Sequence, residues 1–304
     1  VQRRDFLLET MGLAAVAAAW PRGLGHARPA SQLRFGYAAI TWQGNDAAAI
    51  DDIAALRFRG IQLRASAVET WGSRPAALKE LLASRELTMV ALSSGVVSLD
   101  PDRARDNVAM HTRNAEFVQA VGGLYLQVVD QRPRGRAPTA DDVRRMGQLL
   151  TELGRRTADL GVTLGLHNHM GNLSQSPAEV ARVLDACDQR FVKLELDVAH
   201  YHQAGGDPAA AVREHAGRLL FLHIKDVESP IPGGAPDSYR FVELGRGRVD
   251  LPAVFKALDT SAFSGWAVVE LDAVPDKART PRESAMISKA YLEQLGLKVE
   301  GRDA

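Results

Sequence analysis

Val162-Thr163-Leu164-Gly165-Leu166-His167-Asn168, then Pro177 to Ala186, then Val192-Lys193-Leu194-Glu195-Leu196-Asp197-Val198 form a β-type run, a segment of helical period and a second β-type run. Two strands joined through a helix do not pair as a hairpin; they lie parallel with a right-handed crossover. The alternation continues in both directions. Upstream, Arg34–Thr41, Gly60–Arg64, Thr88–Leu92 and Leu124–Val129 read as strands; downstream, Leu219–Ile224 and Trp266–Leu271 do. Helical segments separate them at Asp46–Phe58, Arg74–Ser84, Arg103–Val121, Thr139–Leu160, Pro208–Ala216, Leu251–Leu258 and Pro281–Leu295. In the fourth of these, Val143, Met146, Leu150, Leu153, Thr157 and Leu160 return every three or four residues, one face of a helix. Eight such units predict a (β/α)8 TIM barrel, a single domain over residues 31–304. The competing open doubly wound sheet wants a Gly-rich phosphate loop after its first strand, and Trp42-Gln43-Gly44-Asn45-Asp46 is not one.

Composition narrows the class. Of 304 residues 46% are hydrophobic and 24% charged, which suits a globular chain and not a disordered or fibrous one. Lys plus Arg is 37 and Asp plus Glu is 37, so no net field favours nucleic acid or anionic lipid. The single Cys187 excludes an internal disulfide and a cysteine-based zinc cluster.

The opening residues read separately. Gln2-Arg3-Arg4-Asp5-Phe6-Leu7, a weakly apolar run from Met11 to Trp20 and small residues up to Ala30 predict a cleavable twin-arginine export signal over residues 1–30. The run is about half the ~20 residues that a spanning helix needs, so no permanent membrane anchor is expected. The expected partners are thus the twin-arginine export machinery and a small molecule, with a periplasmic location. That route carries folded proteins, which suits a chain that acquires a metal first.

Barrel chemistry lies at the carboxyl ends of the strands. Each of the last four strands ends in polar residues two apart: His167 and His169, Glu195 and Asp197, His223 and Lys225, Glu270 and Asp272. A spacing of two places both members on one face. Packing alone has no use for so many convergent ionisable groups. A divalent ion explains them, with Asp197, His223 and Glu270 as ligands and His167 as the fourth. Mixed imidazole and carboxylate donors suit manganese, cobalt, zinc or iron better than magnesium. Trp42, near the end of the first strand, offers either a flat face for a sugar ring or a packing side chain. The Gly245-Arg246-Gly247-Arg248 stretch reads as a turn or as an anion cradle.

At these residues the sequence resembles the xylose-isomerase-like barrel superfamily of sugar isomerases, epimerases and dehydratases, and within it the inosose dehydratase branch. The carrying stretches are His167-Asn168-His169-Met170-Gly171, Leu196-Asp197-Val198-Ala199-His200, His223-Ile224-Lys225-Asp226-Val227, Leu244 to Asp250 and Gly265 to Glu270. The resemblance implies a mononuclear metal site on Asp197, His223 and Glu270, with His200 and Lys225 touching substrate and His169 beside them. It implies proton removal next to a carbonyl through a metal-stabilised enediolate, with Glu270 as ligand and base. Lys225, on the same strand face as His223, reads as a neutraliser of the developing oxyanion or as a salt-bridged lysine, and His200 as a hydrogen-bond partner of a sugar hydroxyl or as a general acid. The expected substrate is a keto-sugar or inosose.

Two departures matter. His167 stands where many members carry a second catalytic Glu, and Gln62 where a Glu is common. Elimination or one-base isomerisation therefore fits better than two-base 3-epimerisation, unless Glu195, Asp272 or His169 supplies the second base. Lyase or hydrolase action on oxidised 3-keto glycosides is a further reading. A DNA-repair endonuclease relative wants more ligands and a basic groove; a non-catalytic sugar-binding barrel has no need of the intact ligands. Oligomeric state is left open by the sequence, a homo-oligomer included.

Overall fold

The computed structural model of the protein describes residues 32–300. The export signal read over residues 1–30 lies outside them. Eight parallel strands close into a barrel: β1 (Gln32–Ala38), β2 (Gly60–Arg64), β3 (Thr88–Val97), β4 (Tyr125–Asp130), β5 (Thr163–His167), β6 (Val192–Asp197), β7 (Leu219–Ile224) and, after a small hairpin, β10 (Ser264–Val269). The hairpin pairs β8 (Asp226–Glu228) with β9 (Arg240–Val242) antiparallel. Around the barrel each strand neighbours the next, and β1 closes the ring on β10 from Gln32↔Ser264 to Tyr37↔Val269.

The outer layer holds α1 (Asp46–Ala55), α2 (Ser66–Trp71), α3 (Pro75–Ser84), α4 (Pro101–Val121), α5 (Ala140–Asp159), α6 (Pro177–Asp185), α7 (Val198–Gln203), α8 (Pro208–Glu214), α9 (Leu251–Thr260) and α10 (Pro281–Gln294). Local sequence sets where these begin. Thr139 with Asp142, Ser176 with Glu179 and Thr280 with Glu283 form reciprocal capping boxes. Proline opens α3, α4, α6, α8 and α10, where the missing N–H costs nothing. None of the described helices is long and apolar enough to cross a membrane.

Inside the barrel the deep end is filled with Phe221, Trp266, Val90, Ala91 and Val268. Tyr125 stacks on Phe221 with ring centroids 5.3 Å apart. Gly60 has to be glycine here: a Cβ would stand 2.5 Å from the Trp266 ring and from Val90. This apolar plug leaves only the carboxyl-end layers free for polar groups.

Four details differ from the sequence reading. The first strand stops at Ala38, and Ala39–Trp42 turns into a 3₁₀ helix instead of extending the strand to Thr41. The third strand runs to Val97, beyond Leu92, and shifts register between Ser93 and Val96. Two short helices, α2 and α7, fill segments read as connections, and a short hairpin, β8–β9 with residues 229–239 at its tip, follows the seventh strand where no strand was read. Short elements of three to six residues leave too little periodicity to be seen.

Candidate active site and metal centre

The ends of β5, β6, β7 and β10 bring His167, Asp197, His223 and Glu270 together at the barrel mouth. Strand register does the aligning: His167 is paired with Glu195 across β5 and β6, and Asp197 with His223 across β6 and β7. All are buried; Asp197 and Glu195 are 0% exposed. Asp197 also caps α7, its Oδ1 accepting from the backbone N–H of Ala199 and His200 at 2.9 and 2.8 Å. Its Oδ2 is left without a partner. Asn168 fixes the strand end by accepting from Asp197 N–H and donating to the Asp197 carbonyl.

His223 shows what the site is built for. Its Nε2 faces two oxygens, Gln62 Oε1 at 2.8 Å and Glu195 Oε1 at 2.7 Å. An amide oxygen only accepts, so Nε2 carries the proton and Nδ1 the lone pair of the neutral ring. Nδ1 lies 3.0 Å from Glu270 Oε2 and 3.6 Å from Asp197 Oδ2, with no hydrogen bond of its own. A lone pair among carboxylate oxygens is tolerated only if a cation joins them. A proton does this in part: burial alone would lower His223, yet the Glu195 and Glu270 carboxylates hold its imidazole well above the ordinary value. A divalent ion meets the same demand. His167, Asp197 and His223 bring one ligand atom each within 4.8 Å of one another, and the donor set suits a first-row transition ion. The residues fit a metal.

His167, His169 and His200 also converge within 4.8 Å. Backbone partners make that trio unsuited to a cation. His169 Nδ1 donates to the Met170 carbonyl at 2.6 Å, while His200 Nδ1 accepts from Met170 N–H at 3.3 Å. His200 therefore carries its proton on Nε2, which is buried and without a partner. It presents a donor, not a lone pair. Burial lowers both imidazoles, more so His200, and both rings are neutral. The two rings lie 3.8 Å apart.

Lys225 is 1% exposed and reaches Asp272 Oδ1 at 2.6 Å and Glu270 Oε2 at 2.9 Å, with Asp197 Oδ2 at 3.9 Å. Burial would lower its pKa, but the Glu270, Asp197 and Asp272 carboxylates outweigh burial and keep it an ammonium. The same ammonium, with His223, holds Glu270 well below the usual carboxylate range against the effect of burial. Asp272 moves the other way, raised by burial.

Of the two readings of Trp42, its contacts support packing and not the sugar face. The indole is 7% exposed, meets Tyr37 edge-on at 5.6 Å and donates to Asp52 at 2.8 Å, so it packs behind the first strand and presents no face to a sugar. The aromatic wall of the mouth is Phe241 on β9, its ring 3.9 Å from Lys225 Nζ and 4.8 Å from the His200 ring. Nothing in the sequence marked Phe241, because the hairpin that carries it is two three-residue strands. The glycine stretch 245–248 is a turn whose amides are already taken. Asp226 accepts from Gly245 and Gly247 through Oδ2, at 3.0 and 2.8 Å, and from Val227 and Val249 through Oδ1. His111, on α4, is structural: it is fully buried and 2.6 Å from Ser94 Oγ.

The family model of the xylose isomerase-like TIM barrel matches residues 50–291. An inosose dehydratase of Bacillus velezensis is 26% identical over 295 residues, covering 85% of this chain and 95% of that protein. The rhizopine catabolism protein MocC of Rhizobium meliloti is 33% identical over 184 residues, 57% of this chain and about half, 55%, of MocC. Among solved structures, the IolI protein with a zinc atom bound superposes with a TM-score of 0.75 at 19% identity, covering 86% of this chain and 97% of that one. An L-ribulose 3-epimerase gives a TM-score of 0.73 at 19% identity, covering 87% and 94%. These two likenesses show the fold. Family match, barrel and convergent mouth agree, and the chain belongs to the xylose isomerase-like TIM-barrel family as an enzyme of that superfamily.

Proposed function

We propose that the protein is a divalent-metal-dependent lyase of the dehydratase type, acting on an inosose or a related keto-sugar by removing a proton next to the carbonyl. The observation that carries this reading is the buried set His167, Asp197, His223 and Glu270, in which His223 Nδ1 and Asp197 Oδ2 lack partners and face one another. The similarity to inosose dehydratases along most of the chain supports it, as does the zinc atom in the IolI structure. His167, Asp197, His223 and Glu270 would hold the ion, which when bound supplies Lewis-acid stabilisation to charge that develops on substrate oxygens.

The chain's own groups do the rest. Glu270 takes the carbon-bound proton, and Lys225, already shared with Asp272, swings its charge fully onto Asp272 to release it. His200 hydrogen-bonds the departing hydroxyl through its buried Nε2–H without giving that proton up, and the proton taken by Glu270 leaves with the hydroxyl as water. His169 and Phe241 complete the wall that binds the ring. Elimination is favoured over two-base epimerisation because His167 stands where the resemblance leads one to expect a second mouth carboxylate, and Glu195, its partner on the neighbouring strand, is fully buried.

The test is metal analysis of the purified protein, followed by a panel of inososes and keto-sugars with and without divalent ion in deuterated buffer. Metal-dependent exchange and loss of water are expected; no exchange with any of them would refute enolisation. Export is part of the same proposal: residues 1–30 fused to a reporter should direct it to the periplasm only in cells with an intact twin-arginine translocase.

A further inference from the structure

Glu195 is the most costly side chain in the barrel to explain. It is 0% exposed, and neither of its oxygens has an aligned hydrogen-bond donor among the described residues. A buried carboxylate left this way costs several kcal/mol unless neighbouring charge offsets it. It shares the inward face of β6 with Asp197, two residues deeper, and its strand partner on β5 is His167. Its Oε1 lies 2.7 Å from His223 Nε2 and 3.4 Å from His167 Nδ1, so one oxygen faces the nitrogens of two imidazoles at once.

We infer that Glu195 is a positioning residue for the proposed metal centre, holding His223 and His167 by their far-side nitrogens so that their other nitrogens stay free for the ion. The inference rests on the metal reading given above. Imidazole bound to a cation through one nitrogen becomes a stronger donor at the other, and a carboxylate there raises affinity and fixes the ring. Gln62 Oε1, 2.8 Å from the same His223 Nε2, is a neutral partner and supplies direction without charge. Glu195 supplies the charge. A carboxylate thus stands beside position 167 on the neighbouring strand and acts through the rings.

The experiment compares the wild type with Glu195→Gln and Glu195→Asp, each stripped of metal and titrated with Zn²⁺ against a chromophoric chelator. Visible spectra of the Co²⁺ forms and thermal midpoints of the metal-free forms are recorded alongside. Glu195→Gln should bind Zn²⁺ about 10- to 100-fold more weakly, with altered Co²⁺ bands, while its metal-free midpoint is unchanged or higher. Glu195→Asp, which keeps the charge, should fall between the two. If the wild type binds one equivalent and Glu195→Gln binds as tightly, with the same Co²⁺ spectrum, the positioning role is wrong and the metal centre stands. If Glu195→Gln does not fold, a Glu195→Asp form with wild-type affinity and spectrum overturns the role equally. A wild type that binds no divalent ion overturns both.

Discussion

Lys225 Nζ and Glu270 Oε2 lie 2.9 Å apart at the barrel mouth, and that pair joins a buried ammonium to the carboxylate that would serve the metal. Three acids, Asp197, Glu270 and Asp272, surround this one ammonium. Removing it as Lys225→Met leaves buried anions uncompensated. The metal-free variant should lose roughly 3 kcal/mol of stability, since breaking a buried pair costs about 3–5 kcal/mol. Saturating Zn²⁺ should return a larger share of stability to the variant than to the wild type. Urea unfolding with and without the ion measures both.

Glu270→Gln keeps the shape and removes the base. Turnover and solvent exchange should fall by about 10²–10⁴, the usual contribution of a positioned general base. The fold should persist, because Lys225 retains Asp272. Retained exchange in this variant would move the base to another side chain.

Phe241→Ala removes the aromatic wall without touching a proposed ligand. KM should rise about tenfold, roughly 1.4 kcal/mol of lost binding, with kcat and metal affinity nearly unchanged. A fall in kcat alone would show that the ring acts on the chemistry and not on binding.

Asp226→Ala would orphan the N–H groups of Val227, Gly245, Gly247 and Val249 together. Charged hydrogen bonds contribute about 1.5–3 kcal/mol each when buried, so a loss of at least 3 kcal/mol is expected. Gly247→Ala should act in the same direction, since its Cβ would run into the Asp226 carboxylate. Limited proteolysis should cut first in the β8–β9 hairpin of both variants.

Asp130 carries the pH prediction. It is fully buried outside the ligand cluster, and burial pushes its carboxyl up to about 6 from 3.8. The folded state then binds a proton that the unfolded state has lost, so stability contributed by this group falls as pH rises from about 4 to 6. Asp130→Asn, still able to accept from Ser174 N–H, should be more stable than the wild type at pH 7.5 by up to about 3 kcal/mol. The gain should shrink to about 1 kcal/mol at pH 4.5. Equal stabilisation at both values would contradict the raised carboxyl.

The barrel was legible because its signal is repeated: eight alternations, each with its own proline or capping residue, leave little freedom for error. Gly60–Arg64 and Leu219–Ile224 agree with the reading to the residue. The convergence of His167, Asp197, His223 and Glu270 was legible for a related reason, since a spacing of two on a strand end states which face a side chain takes. Trp42 was open to two readings, because its orientation depends on a 3₁₀ turn that one strand-like run concealed. Phe241 was not legible at all: its role depends on a hairpin reaching across the mouth, a tertiary placement without local pattern. The tautomers of His169 and His200 were likewise invisible, being set by the peptide groups of Met170.

Asp226 has a consequence for anyone who would retarget this barrel. Its carboxylate behaves as a built-in guest of the glycine turn, saturating amides that an esterified, phosphorylated sugar would otherwise recruit. Adding lysines around the rim would not open that seat. Redesign towards such substrates has to begin by evicting the resident acid and rebuilding the turn without it.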